Sequence, residues 1–458
     1  MLSDVFDRFV EKSPISVMVR ASLERVLGAD RLDFWFERTA QNQYTRDLLF
    51  SSVYDMMNQV VFCVQPSVRA AYRDQEADVG TSLVSVYNKL KGIETQTSAE
   101  LVRYSAREFA PIIEQMGGER APWLKGYRVK IVDGNCIEAS EHRIQELRQA
   151  TGRALPGKSV VVYEPAQGLV TDVFPCEDGH AQERSLFGSV LKTVQRNDLW
   201  IADRNFCTRA FLTETDSRGG FFVIREHRGL PFEMLSPMRS CGRTSTGQVA
   251  QQRVCVMDEH GHKHVFRRLR IKLNQATRDG DTELYILTNL PGRVSTKRVA
   301  QLYQNRWKLE TAFQHLEAYF HSEINTLGYP KAALFGFCLA LVAYNLLAVV
   351  LAALRSIHGE DTVDQDVSLY YIANEISATY KGMMIAIPAL EWDLFYSMNR
   401  ADLAAILLEL ARRVRLQAFR KSPRRPRKPR PKGKKMSREG HVSTAKLLMT
   451  RQANSARP

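Results

Sequence analysis

Residues 332–354 carry no charged side chain. A run of 23 such residues is long enough to cross a bilayer as a helix. Whatever it folds into must be covered on nearly every side, by lipid or by protein. Gly336, Tyr344 and Asn345 lie within it, and the sequence holds no comparable second segment. These features favour a buried core helix over a membrane span. A chain of 458 residues can build so large a core, in two or three domains.

The charge is unevenly spread. The net charge is +14, and residues 412–438 alone hold 14 Lys and Arg and no acid. Without that stretch, 50 basic residues face 50 acidic ones. The excess therefore sits near the C-terminus and implies a polyanionic partner. Its run KSPRRPRKPRPKGKK is disordered by composition. The seven cysteines (Cys63, Cys136, Cys176, Cys207, Cys241, Cys255 and Cys338) are odd in number and contain no CxxC pair. With no signal peptide opening the chain, this reads as a reduced, cytoplasmic protein. His260, His262 and His264, grouped around Gly261, read as a hairpin turn rather than a zinc site.

Residues 1–125 look mostly helical, with apolar patches between charges, and could bind DNA or simply pack. At Tyr127 the pattern changes. YRVKIVDG alternates and is β-branched, so it reads as a strand ending at Asp133. Residues 159–164 and 168–174 read as a hairpin, 181–194 as a helix, and 198–203 as a short buried strand ending at Asp203. A helix at 207–216 and a strand at 220–226 follow. This is an α/β pattern: a mixed sheet with helices on both faces. An open sheet of this kind presents ligands where its strands stop, which is where Asp133 and Asp203 stand. Residues 249–258, 263–273 and 283–290 read as an all-β insertion. Its Arg253, Arg267, Arg268 and Arg270 could lie across a nucleic acid. The expected division is a helical region at 1–125, a sheet domain split between 126–226 and 296–356, an all-β insertion at 227–295, a helical region at 357–419 and a basic disordered tail at 420–458.

Residues 299–320 contain no Pro or Gly and read as one helix. On a wheel of about 100° per residue, Leu302, Leu309, Phe313, Leu316 and Phe320 form a narrow apolar face. Tyr303, Arg306, Glu310 and Glu317 fall on its shoulder, where a helix borders a cleft. A surface helix with one Arg306–Glu310 pair would satisfy the spacing alone. Two aspartates at strand ends plus a glutamate on a later helix suggest more. Asp133, Asp203 and Glu310 together could hold two divalent cations about 4 Å apart and grip both oxygens of an in-line phosphoryl displacement. Hard oxygen ligands suit Mg²⁺. Asp172 and Asp198 compete from the same sheet but do not stand at strand exits.

The spacing Tyr303-x2-Arg306-x3-Glu310 resembles the signature of the IS-four family of bacterial insertion-sequence transposases. VDGN around Asp133, IADRNF around Asp203 and LYILTNL before the signature helix are also similar to that family, and the likeness covers about residues 120–350. The resemblance implies a ribonuclease-H-like catalytic fold interrupted by the all-β insertion, between helical N- and C-terminal regions. It implies DDE chemistry, with Asp133, Asp203 and Glu310 as catalytic metal ligands for two Mg²⁺ ions, Mn²⁺ being able to substitute. Tyr303 and Arg306 would contact DNA. The partners it implies are double-stranded DNA, as element ends and target, and a second copy of the chain on that DNA, with no membrane. The location implied is the bacterial cytoplasm, at the nucleoid. Two positions depart from the family: Glu317 stands where Lys is usual, and Asn205 where Gly is usual. The alternative is a transposase-derived protein that binds DNA without cutting it.

Overall fold

The computed structural model describes residues 3–43, 47–277, 280–306, 313, 316, 319–422 and 440–455. Twelve strands are found among them: β1 (Arg128–Cys136), β2 (Arg153–Leu155), β3 (Lys158–Glu164), β4 (Leu169–Cys176), β5 (Asp198–Ala202), β6 (Phe221–Arg225), β7 (Glu233–Met234), β8 (Arg239–Arg243), β9 (Gly247–Met257), β10 (Lys263–Leu273), β11 (Glu283–Thr288) and β12 (His441–Ser443). The helices that matter below are α1 (Pro14–Leu27), α2 (Thr95–Gln115), α3 (Arg209–Ser217), α4 (Thr296–Gln304), α5 (Pro330–His358), α6 (Arg400–Arg413) and α7 (Thr444–Ser455).

Ten strands form one mixed sheet in the order β4-β3-β1-β5-β6-β11-β10-β9-β7, with β8 also paired to β9. β1, β5 and β6 run parallel. The flanking strands are antiparallel to their neighbours. The period-two alternation of β-branched residues sends side chains to two cores. Ile131, Ile201 and Val223 point into the larger one, shared with the long helix and the terminal helical regions. Val132, Trp200, Ala202, Phe222 and Ile224 point into the smaller one, with Phe187, Phe206 and Phe211. The fold is thus a ribonuclease-H-like α/β sheet covered on both faces, with helical regions before and after it.

The charge-free run forms the middle of α5, and 89% of its most apolar 18-residue window is buried. Its cover is protein: α1, α2, α6 and the edge strand β4 pack around it. Asn345 is fully buried on α5. Its side chain accepts from the Val170 N–H at 2.7 Å and donates to the Val170 carbonyl at 2.9 Å and to Ser105 Oγ at 3.0 Å. One polar side chain in an apolar helix thereby satisfies both backbone groups of a residue on the sheet's outermost strand.

The strands of the all-β segment do not close on themselves. β11 pairs with β6, so β9, β10 and β11 extend the central sheet. His260 and His262 lie in the β9–β10 turn, with Gly261 at φ +85°, while His264 lies within β10 opposite Val256. The helix expected over 181–194 is shorter, a 3₁₀ turn at Glu183–Leu186 followed by Phe187–Leu191. The single helix expected over 299–320 is interrupted: α4 stops at Gln304, and Asn305 and Arg306 form a turn. Their amides bond to the Leu302 and Tyr303 carbonyls at 3.2 and 3.1 Å, the tightened closure of a helix end. The tail expected to be disordered from 420 onward is ordered in part. β12 pairs in parallel with β2, and α7 follows it. Ser443 donates to Asp178 at 2.7 Å, and Lys446 and Arg451 pair with Asp178 and Glu146.

Candidate active site

The parallel ladder between β1 and β5 ends at Ile131 and Ile201. Continuing that register by two residues would set Asp133 abreast of Asp203 on the same face. β5 stops at Ala202, just before Asp203, but β1 runs on to Cys136 and keeps Asp133 paired with Val161 of β3, so the strand end expected at Asp133 lies three residues later. Parallel neighbours lie about 4.8 Å apart, so this register would bring the two residues onto adjacent positions of the sheet. Asp133 Oδ1 accepts from the amide of Gly134 at 3.0 Å, and its Oδ2 accepts from Arg306 Nη1 at 2.9 Å. Asp203 is the N-cap of a 3₁₀ turn, Arg204–Phe206, and its Oδ1 accepts from the Asn205 amide at 2.8 Å.

Tyr303 and Arg306 reach this pair from the end of α4. The Tyr303 side chain is buried. Burial pushes its phenol up, while Arg306, within hydrogen-bonding reach, and Arg225 pull it down and Asp203 adds to the rise. Four groups read from the sequence therefore meet: Asp133, Asp203, Tyr303 and Arg306. Glu310 and Glu317 lie outside the described residues. The position of α4 is fixed by Arg267, whose Nη1 donates to the carbonyls of Leu290, Pro291 and Val294 at 3.2, 3.1 and 2.9 Å. These residues form the loop that leads into α4.

Arg267 was expected on a nucleic-acid surface and is instead an internal clasp. Arg268 is likewise committed, with both nitrogens on Glu226 at 2.5 and 2.9 Å and its guanidinium stacked 4.0 Å from the Tyr285 ring centre. Arg253 remains exposed and Arg270 half-buried. The competing aspartates are structural. Asp172 bonds Arg103 at 2.6 Å on β4. Asp198 is fully buried between Arg128 and Lys130 at the start of β5, the end away from Asp203.

Sequence reasoning missed Glu183 and Gly134. The Glu183 carboxylate accepts from Asn205 Nδ2 at 3.3 Å. It also lies against Gly134, where an added Cβ would come within 2.4 Å of it. Asn205, one of the two departures from the family pattern, thus ties the turn after Asp203 to an acid packed on the residue after Asp133. Only Gly134 leaves room for that contact.

Carboxylate oxygens at a strand-end cleft are the hard donors that divalent cations take. Among the described residues no group of three or more His, Cys, Asp or Glu side chains stands ready to hold an ion. The pair of aspartates fits as part of a donor set, and Asp133 now shares one oxygen with Arg306.

A central mixed sheet covered by helices on both faces, with Asp133 and Asp203 on its adjacent parallel strands β1 and β5 or just after, is the architecture of a ribonuclease-H-like DDE fold. Residues 124–346, from just before β1 to the middle of α5, match the family model of the transposase DDE domain. The match supports a DDE transposase function, on DNA substrates and with the divalent metal ions that such enzymes generally use. No curated protein matches the chain.

Proposed function

We propose that this protein is an insertion-sequence transposase of the IS-four type, acting on the ends of its own element. The observation that carries the reading is Asp133 abreast of Asp203 with Arg306 bonded to the first. In this reading Asp133, Asp203 and Glu310 hold two Mg²⁺ ions. When bound, the ions supply an activated water or 3′-hydroxyl and neutralise charge on the phosphate. The chain's own groups do the rest. Arg306 presents a planar guanidinium to a phosphate beside Asp133, a geometry suited to bidentate contact. Tyr303, held against Arg306, packs beside the displaced strand. Glu183 and Asn205 keep the two strand ends in step. Residues 126–226 and 296–356 form the catalytic domain, 227–295 its insertion, and 1–125 and 357–419 the flanking helical regions. Two copies act together on DNA, and the basic stretch adds sequence-independent affinity.

The test uses the DNA that flanks the reading frame. Short duplexes tiled across both flanks are screened for the tightest binder, and a plasmid carrying the same flanks is incubated with the protein and Mg²⁺. Nicks ending in a 3′-hydroxyl at one fixed position in each flank are expected. Tight binding with no nicking in Mg²⁺ or Mn²⁺ would assign the chain to DNA binding alone.

A further inference from the structure

The same register that aligns the aspartates aligns a third residue. β6 lies beside β5, with Ala202 opposite Ile224. One step further sets Arg225 abreast of Asp203. The row across three parallel strands is then Asp133, Asp203, Arg225, all on the face that α4 covers. We infer that Arg225 is a phosphate-binding residue of the site, holding a backbone phosphate of the DNA on the side of Asp203 away from Asp133. The inference rests on the transposase reading and adds to it a second cation, so that Arg306 and Arg225 bracket the aspartate pair.

Three observations support this role. Arg225 is close enough to Tyr303 to pull its phenol down, so it belongs to the same cleft as Arg306 and Asp203. Its side chain keeps about a quarter of its surface exposed, 23%, at the end of β6, an interior strand of the sheet. Among the described residues it pairs with Asp281, at 2.6 Å through Nη2. A guanidinium carries five N–H donors in a planar fork. Among the described residues Asp281 takes one of them, which orients the fork and leaves the other edge for an anion. Asp281 sits in the β10–β11 connection, so the all-β segment acts here as a bracket for a site residue. Arg268, the neighbouring arginine on that segment, has one edge filled by the Glu226 carboxylate and its faces covered by Tyr285 and Phe232, so it is already committed within the protein.

The experiment is a salt titration of binding to the tightest flanking duplex, in EDTA, for wild type, Arg225→Ala, Arg225→Gln and Asp281→Asn. One lost phosphate contact makes the slope of log K against log[salt] shallower by about 0.9. That change is expected for Arg225→Ala and for Arg225→Gln, with the urea-unfolding midpoint of each variant measured alongside to guard against simple misfolding. Asp281→Asn keeps the cation and should keep the wild-type slope. A wild-type slope in folded Arg225→Gln overturns the inference. So does an equal loss in Asp281→Asn, which would mean that Arg225 only anchors the β10–β11 connection. Cutting is not needed for this readout. Failure of the wild type to nick in Mg²⁺ would count against the transposase reading and would leave the assignment of Arg225 to be decided by the slope.

Discussion

If Asp133 is a metal ligand as proposed, Arg306 occupies one of its two oxygens, and this makes a sharp prediction about Arg306→Ala. The guanidinium lies 2.9 Å from Asp133 Oδ2, with the two side chains only 12% and 18% exposed. A charge-assisted hydrogen bond of this kind contributes about 1.5–3 kcal/mol, less where water partly screens it. Taking about 1.5 kcal/mol for a pair so largely shielded, its removal should tighten metal binding about tenfold in the absence of DNA. Mn²⁺ titration by calorimetry on the full-length chain measures this directly, with Asp133→Asn as the variant that should lose the heat. The same alanine variant should cut DNA more slowly, because the phosphate loses its clamp. Rising metal affinity with falling cleavage is an unusual pairing, and ordinary damage to the site would lower both. Unchanged or weaker Mn²⁺ binding by folded Arg306→Ala would refute the reasoning and make Arg306 a support of Asp133 rather than a competitor for it.

Asp133→Asn and Asp203→Asn should each abolish nicking while the tightest flanking duplex still binds, since affinity comes mainly from phosphate contacts elsewhere; near wild-type nicking by either removes that residue from the site. Gly134→Ala should push Glu183 from its seat, because the new methyl would lie 2.4 Å from the carboxyl group. Cleavage should fall several-fold for a stability loss of about 1 kcal/mol, and Glu183→Ala in the same chain should restore part of it; no recovery in the double variant would show that the contact is not the cause. Asn345→Leu should leave the Val170 amide and carbonyl buried without partners, costing about 2–4 kcal/mol. Urea unfolding with an unchanged slope would read this as a lower midpoint, and a shift worth less than about 1 kcal/mol would mean that the strand edge finds other partners.

The parts of the site carried by local pattern were legible. The strand ending before Asp203 follows from alternation that stops, and Tyr303 from its place on a helix shoulder; β1 instead runs on past Asp133 to Cys136, and Arg306 stands in the turn after the helix. Arg225 was not legible, because nothing local says that β6 lies beside β5 in a given register. The break at Asn305 was hidden by good helix formers on both sides, and the bond that Arg306 makes from that turn goes to a carboxylate 173 positions away, beyond any local pattern. Arg267 and Arg268 looked like a solvated basic surface, since composition cannot tell an arginine that clasps carbonyls from one that faces water. The ordered end of the chain was masked by averaging. Residues 440–455 include Val442, Ala445, Leu447 and Leu448, enough to dock a strand and a helix, but they follow a run of Lys, Arg and Pro that dominates any window.

The spacing of Asp133, Asp203 and Arg225 is set by backbone ladders rather than by side-chain packing. Two consequences follow for how such a protein can change over time. Substitutions in either core can loosen the domain without altering the interval between these three residues, because the hydrogen-bonded ladders that end one or two residues before them set it. A single residue inserted into or deleted from β5 would do the opposite. It would leave composition and hydrophobicity nearly intact, yet turn Asp203 to the far face and bring a neighbour into its place. Lineages of this sequence should therefore tolerate extensive drift in their apolar residues while admitting almost no change of length between the start of β5 and Asp203.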